Sequence, residues 1–195
     1  MQNIRIIIYD MKNNFKLRKK YSKCRIFCYT VMKMELKNVK IHDIELLANE
    51  ISIHKFHGMR IVYCHGCFDL MHPGHIKYFQ ASKKMGDILI VTVTPDTYVD
   101  KGPGRPVFDQ NLRAESIAAL ECVDYVAINK WPTAEEALRL LKPDIYVKGQ
   151  EFQNIEDKTG KIQREYAVVK EIGAEMRFTQ EIVFSSTDLL NRYFA

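Results

Sequence analysis

Residues 64–75 read CHGCFDLMHPGH, and the residue types in that stretch suit three different kinds of chemistry. Cys64, Cys67, His72 and His75 follow the spacing C-x2-C-x4-H-x2-H, which offers four zinc ligands. Cys64 and Cys67 alone form a C-x-x-C pair, the kind that exchanges disulfides when it opens a helix. His72 and His75 stand three residues apart, so one helical turn points both imidazoles the same way. With Gly66 to allow close backbone approach, and Pro73 and Gly74 to shape a helix start, that last set suits a phosphate.

The surroundings choose among the three. RIVYC (60–64) reads as a buried strand running straight into the segment, and HPGHIKYFQASKKMG reads as a helix closed by Gly86. A zinc finger does not pack four ligands into twelve residues fed by a buried strand, and Pro73 lies between the cysteines and the helix that would activate them. The cysteines are therefore read as small apolar residues at a strand end. His72 and His75 remain as groups that hydrogen-bond phosphate oxygens and stabilise charge moving from an α-phosphorus to leaving pyrophosphate.

The elements that must position them alternate. Residues 40–57 carry a helical rhythm of Ile and Leu; DILIVTV (87–93) is a continuous apolar run, the mark of a strand covered on both faces. A polar loop with two Gly and three Pro follows (94–108). Then come helix 109–121, strand 124–129, helix 133–142, strand 144–149, a polar loop 150–163, helix 166–173, strand 174–179 and a capped helix 185–194. This pattern predicts an α/β fold: a Rossmann-like, doubly wound parallel sheet of about five strands. Ligands of such sheets bind beyond the strands' carboxyl ends at the switch of strand order, where CHGCFD lies.

The net charge of +5 comes entirely from the leader: residues 1–33 hold nine Lys/Arg against one acid, leaving 20 bases and 23 acids, a net of −3, in residues 34–195. The body is not basic, which argues against nucleic acid as its partner. The leader fits a disordered basic tail for RNA or a membrane, a transit-like segment, and an in-frame extension upstream of a start at Met32 or Met34. The division expected is leader 1–33, lead-in helix 34–58 and one domain over 59–195. With 47% hydrophobic residues and no long apolar run, no membrane span is expected. Five cysteines of irregular spacing (24, 28, 64, 67, 122) suggest reduced thiols and a cytoplasmic protein.

GCFDLMHPGH resembles the G-x-F-D-x-x-H-x-G-H signature of the cytidylyltransferase-like nucleotidyltransferases. VDKGPGRPV (99–107), NLRAESIAALECVDYV (111–126), KPDIYVKGQEF (142–152) and FSSTDLL (184–190) are similar, in order, to further motifs of bacterial heptose 1-phosphate adenylyltransferases, the nucleotidyltransferase half of the bifunctional ADP-heptose enzyme. The resemblance implies transfer of a nucleoside monophosphate from ATP or CTP to a phosphorylated sugar, with release of pyrophosphate and no covalent intermediate. It makes His72, His75, Lys101 and Arg113 catalytic. Gly66, Cys67, Phe68, Lys148, Gly149, Ser185, Ser186 and Thr187 join the two histidines in binding nucleotide, and Asp69, Lys101 and Arg105 serve the acceptor, Asp69 more by fixing its turn than by proton chemistry. Mg2+ is expected to arrive with the triphosphate. A separate sugar kinase and homo-oligomerisation, with Leu46-Leu47 as a candidate contact, are implied partners. Gln150-Glu151 replaces the family's Gly-Asp, which leaves ATP against CTP open. Glycerol 3-phosphate or another alcohol phosphate is the alternative acceptor, and a catalytically silent nucleotide-binding regulator is the alternative of another class.

Overall fold

The computed structural model describes residues 40–155, 159–181, 186–187 and 191–192. The expectations for the leader, for Ser185 and for most of the terminal helix lie outside the described residues. Strands β1 (Ile41–His42), β2 (Ile61–Gly66), β3 (Ile88–Val93), β4 (Tyr125–Ile128), β5 (Ile145–Gly149) and β6 (Glu175–Thr179) form one parallel sheet in the order β1-β4-β3-β2-β5-β6. That is six strands where five were expected. The added one lies in the stretch read as helix from residue 40: Ile41 and His42 pair with Val126 and Ala127, and the helix starts only after Asp43. There the Asp43 carboxylate caps α1 (Ile44–Phe56), accepting from the Glu45 amide at 3.0 Å.

Four more helices complete the described part: α2 (Pro73–Lys83), α3 (Gln110–Ala118), α4 (Glu135–Leu141) and α5 (Lys161–Glu171). Strand periodicity sorts them onto two faces. Ile61, Tyr63, Ile88, Ile90 and Tyr146 turn to one side and pack with α1, α4 and α5 through Leu47, Leu138 and Val168. Val62, Cys64, Leu89, Val91 and Val147 turn to the other and pack with α2 and α3 through Phe79 and Ile117. Each such fully buried aliphatic side chain contributes roughly 1.5–3 kcal/mol through burial.

Helix α5 begins five residues before the expected start at 166. Its buried positions are Ile162, Glu165, Val168 and Val169. A carboxylate on the inward face breaks the apolar rhythm, and Gly160, in the left-handed region at φ 68°, marks a helix start that the polar sequence conceals. Of the Leu46-Leu47 pair, Leu47 is buried in the core and Leu46 is exposed.

The chain runs from β2 to β3 to β4 in one direction, then crosses back to β5 and β6 on the other side of β2. The switch in strand order therefore falls between β2 and β5, and the loops leaving these two strands flank it.

Candidate active site

Beyond the carboxyl ends of β2 and β5 lies a cleft of about 320 Å³, lined by Gly66, Cys67, Phe68, Asp69, His72, Gly74, His75, Lys101, Lys148, Gly149, Glu151, Glu181 and Ser186 among others. It gathers most of the residues picked out from sequence. Each gets its place from local chemistry. Pro73 occupies the first turn of α2, and His72, in extended geometry, caps that helix by accepting the His75 amide at Nδ1, 3.4 Å away. In the neutral ring this leaves the His72 proton on Nε2. The two imidazoles stack with centroids 3.8 Å apart and planes 16° from parallel, and the Phe68 ring meets His75 edge-on at 5.3 Å.

Phe68 holds a left-handed backbone, φ 49°, which turns the chain sharply after Gly66. A Cβ at Gly66 would stand 2.9 Å from the Phe68 ring, so any larger residue would push that ring aside. Ser186 donates to the Leu70 carbonyl at 3.1 Å, bringing the start of the last helical segment to the same loop.

Electrostatics keep both histidines neutral. Burial, followed by the nearby His72 and Lys101, holds the His75 imidazole down to about 3, and burial lowers His72 as well. The Nδ1 of His75 is buried without a hydrogen-bond partner among the described residues, which carries an energetic cost.

Asp69 is buried and its carboxylate is taken up: Oδ2 accepts Arg105 Nε at 2.6 Å and pairs with Arg105 Nη2, while Oδ1 accepts the Val107 amide at 2.6 Å. The pair ties the loop carrying Lys101 to the turn after β2. Arg105 is therefore placed to hold that loop, and it is not among the described residues lining the cleft. Arg113 departs further from expectation. It is 1% exposed, is not in the described lining of this cleft, and its guanidinium donates to the carbonyls of Phe108 (3.0 Å), Thr94 (2.8 Å) and Cys67 and to Asp96 Oδ1 (2.6 Å). It clamps the loops after β2 and β3 from beneath. Thr187 is half-buried outside the described lining.

Two residues were missed from sequence: His65, at the end of β2 in the lining of this cleft, and Glu165, on the inward face of α5. Glu165 is 4% exposed; its Oε2 pairs with Lys148 Nζ at 2.9 Å and accepts the Tyr146 hydroxyl at 2.8 Å. Burial pushes this carboxyl up, but Lys148 and the Tyr146 hydrogen bond outweigh it and hold the group below its usual range. His65 is also buried, with Nδ1 2.8 Å from Thr92 Oγ1, and burial and then Lys148 lower it to about 4. The available signals were the alternation in IVYCHG, which puts His65 on the same face as Tyr63, and the acid at an inward helical position.

The depressed His65 has a consequence for stability. An unfolded His titrates near about 6.5, so between that pH and about 4 the unfolded chain binds the proton and the folded one does not. Stability is full above the upper value and falls as pH drops through the window, by on the order of 2 kcal/mol between about pH 7 and about pH 5. Urea midpoints measured across that range should fall in the wild-type protein and fall less steeply in His65→Asn; equal slopes would remove His65 as the cause.

The parallel sheet and its cleft at the switch of strand order define a Rossmann-like α/β domain. Residues 63–192, more than half of the chain, match the family model described as cytidylyltransferase-like, and the chain belongs to that family. It is 43% identical over 129 residues to the bifunctional protein HldE of a Nitratiruptor species, covering 65% of this chain and 27% of that one. It is 42% identical over 115 residues to HldE of Trichlorobacter lovleyi, covering 58% and 23%. The chain thus spans about a quarter of the length of these relatives. Among solved structures, the lipopolysaccharide core biosynthesis protein from Thermoplasma volcanium superposes with TM-score 0.51 at 29% identity, over 66% of this chain and all of that one. A pantoate-beta-alanine ligase from Francisella tularensis shares the fold at TM-score 0.50 and 17% identity, over 77% of this chain and 75% of that one.

Among the described residues, no group of three or more His, Cys, Asp or Glu side chains is arranged to hold a metal ion. The cleft's carboxylates are Asp69, already taken by Arg105, and Glu151 and Glu181. This donor set fits Mg2+ brought in on a triphosphate, which takes one or two carboxylates and keeps phosphate and water as its other ligands.

Proposed function

We propose that this domain is a nucleotidyltransferase that transfers a nucleoside monophosphate from ATP or CTP to a phosphorylated sugar of the heptose 1-phosphate type. The observation that carries the reading is the stacked His72–His75 pair at the start of α2, in one cleft with Lys101, Lys148 and Ser186. An oxygen of the acceptor phosphate attacks the α-phosphorus in line. The new P–O bond forms as the bond from the α-phosphorus to the bridging oxygen breaks, and pyrophosphate leaves with the electron pair. Every group needed is a donor or a cation, because charge moves onto the leaving pyrophosphate and no covalent catalysis is required. His72 and His75 donate N–H groups to the phosphate chain, Ser186 adds a hydroxyl, and Lys101 and Lys148 flank the reacting phosphates. Mg2+ would arrive with the triphosphate as substrate; Glu151 or Glu181 would be the cleft carboxylates to hold it, and it would supply positive charge to the phosphates.

The relatives are described as bifunctional, and an acceptor of this class is made by a sugar kinase, which we propose as the functional partner. No helix among the described residues is long and apolar enough to cross a membrane, in keeping with soluble substrates. The test is pyrophosphate release with each NTP and Mg2+ against sugar 1-phosphates and alcohol phosphates. Release with one NTP and a sugar 1-phosphate is expected. Release only with an alcohol phosphate moves the acceptor to that class, and none with any pair makes the protein a binder.

A further inference from the structure

A second cleft, of about 230 Å³, adjoins the first and shares with it a wall made of His65, Gly66, Cys67, Lys101, Lys148 and Phe152. The histidine pair and Ser186 line only the first; Thr94, Thr133, Lys161 and Glu165 line only the second. Building on the nucleotidyl-transfer reading, we propose that the second cleft seats the body of the acceptor, and that His65 and Glu165 read its hydroxyl groups as a matched donor and acceptor. In-line transfer requires the acceptor to approach from the side opposite the leaving pyrophosphate. With the triphosphate along α2, that side is the shared wall at Lys101 and Lys148.

The proton count along the wall fixes what His65 presents. Tyr63 is fully buried, and among the described residues its hydroxyl meets one partner, Thr92 Oγ1, at 2.6 Å. A buried hydroxyl needs an acceptor for its proton, so Tyr63 donates to Thr92. The single Thr92 proton then goes to His65 Nδ1, 2.8 Å away. The imidazole proton is left on Nε2, whose neighbour in the structure is Thr94 Oγ1 at 3.4 Å, beyond good hydrogen-bond length. A donor held from behind therefore stands in the cleft wall with a weak partner.

Glu165 is the complement. An ionised carboxylate has about four acceptor sites. Lys148 and the Tyr146 hydroxyl occupy Oε2, and the Ala134 amide reaches Oε1 at 3.3 Å, leaving Oε1 able to accept once more. A hydroxyl both donates and accepts, so it satisfies a wall of this kind, and an analogue lacking the hydroxyl leaves buried groups unpaired.

Charge narrows the class. The cleft is lined by Lys101, Lys148 and Lys161 against Asp100 and Glu165, and Glu165 is already paired with Lys148. A quaternary ammonium head would meet surplus positive charge. The cleft selects neutral polyol bodies bearing one phosphate and rejects cationic alcohol phosphates.

The experiment combines kinetics and binding on the full chain, using glucose 1-phosphate, mannose 1-phosphate, glycerol 3-phosphate and choline phosphate as probes. Glu165→Gln keeps the shape and removes the charge; His65→Leu removes the donor, and serves as second variant if the first is poorly folded. Where turnover occurs, each variant should raise KM for the polyol phosphate at least ~10-fold with nucleotide KM within about 3-fold, and choline phosphate should be a poor substrate. A merely structural role would move both KM values together. An unchanged acceptor KM, or nucleotide KM rising in step, overturns the proposal and leaves the nucleotidyltransferase reading intact. If no pair turns over, that reading falls, and calorimetry decides this one. Polyol phosphate binding that Glu165→Gln abolishes supports the cleft assignment; binding equal in both proteins, or absent from the wild type, overturns it.

Discussion

His75→Ala is expected to lower kcat/KM for pyrophosphate release at least ~10²-fold, with a melting temperature close to that of the wild-type protein. The size follows from where the imidazole sits. It stacks on His72 at the start of α2, is braced by the Phe68 edge, and has a buried Nδ1 that makes no hydrogen bond among the described residues. A polar group kept in that state costs stability, so its removal should not unfold the domain. What is lost is the imidazole of a residue that lines the cleft beside His72. Because burial, His72 and Lys101 hold His75 down to about 3, the free enzyme carries it neutral at all pH values near physiological. The kcat/KM profile should therefore show no acid limb from this residue between about pH 5 and about pH 8. Near wild-type turnover in His75→Ala would refute the assigned role, and an ionisation near about 6.5 that disappears in the variant would refute its neutral state.

The architecture was legible because its signals are repetitive. Apolar runs such as DILIVTV and their alternation with helical rhythms specify a covered parallel sheet, and the order of strands puts the histidine turn at the switch between β2 and β5. What escaped was set by contacts between elements distant in sequence. Ile41-His42 becomes a strand only because the β4 edge is there to pair with it. Glu165 lay just outside the helix read from 166, since Lys161, Gln163 and Arg164 hide the helical face and the carboxylate interrupts it. Its meaning comes from Lys148 and Tyr146, brought opposite it by the β5 crossover. His65 sat in plain view within the signature stretch, yet its role depends on a hydrogen-bond chain through Thr92 on the neighbouring strand. Arg105, assigned by resemblance to the acceptor, and Arg113, assigned to catalysis, are both engaged with protein groups, which the sequence did not show.

Arg113 is where this difference has the largest measurable effect. Arg113→Ala is expected to destabilise the protein by about 3–5 kcal/mol, because it breaks a pair with one fully buried partner and strips carbonyls of their donor. Cys67, Thr94 and Phe108 each lose a hydrogen bond, and Asp96 loses its cation. For a domain of this size that corresponds to a melting temperature lower by about 10 °C. Activity should fall too, since the Cys67 and Thr94 carbonyls belong to the loops leaving β2 and β3, and Phe108 ends the loop that carries Lys101. Arg113→Lys should recover only part of either loss: a single ammonium cannot span four acceptors that a planar guanidinium reaches at once. Thermal melting and steady-state kinetics on the same samples separate this from direct phosphate contact. A residue touching the triphosphate would raise nucleotide KM with the melting temperature unchanged; a clamp beneath the loops lowers the melting temperature first, and the kinetic loss follows it.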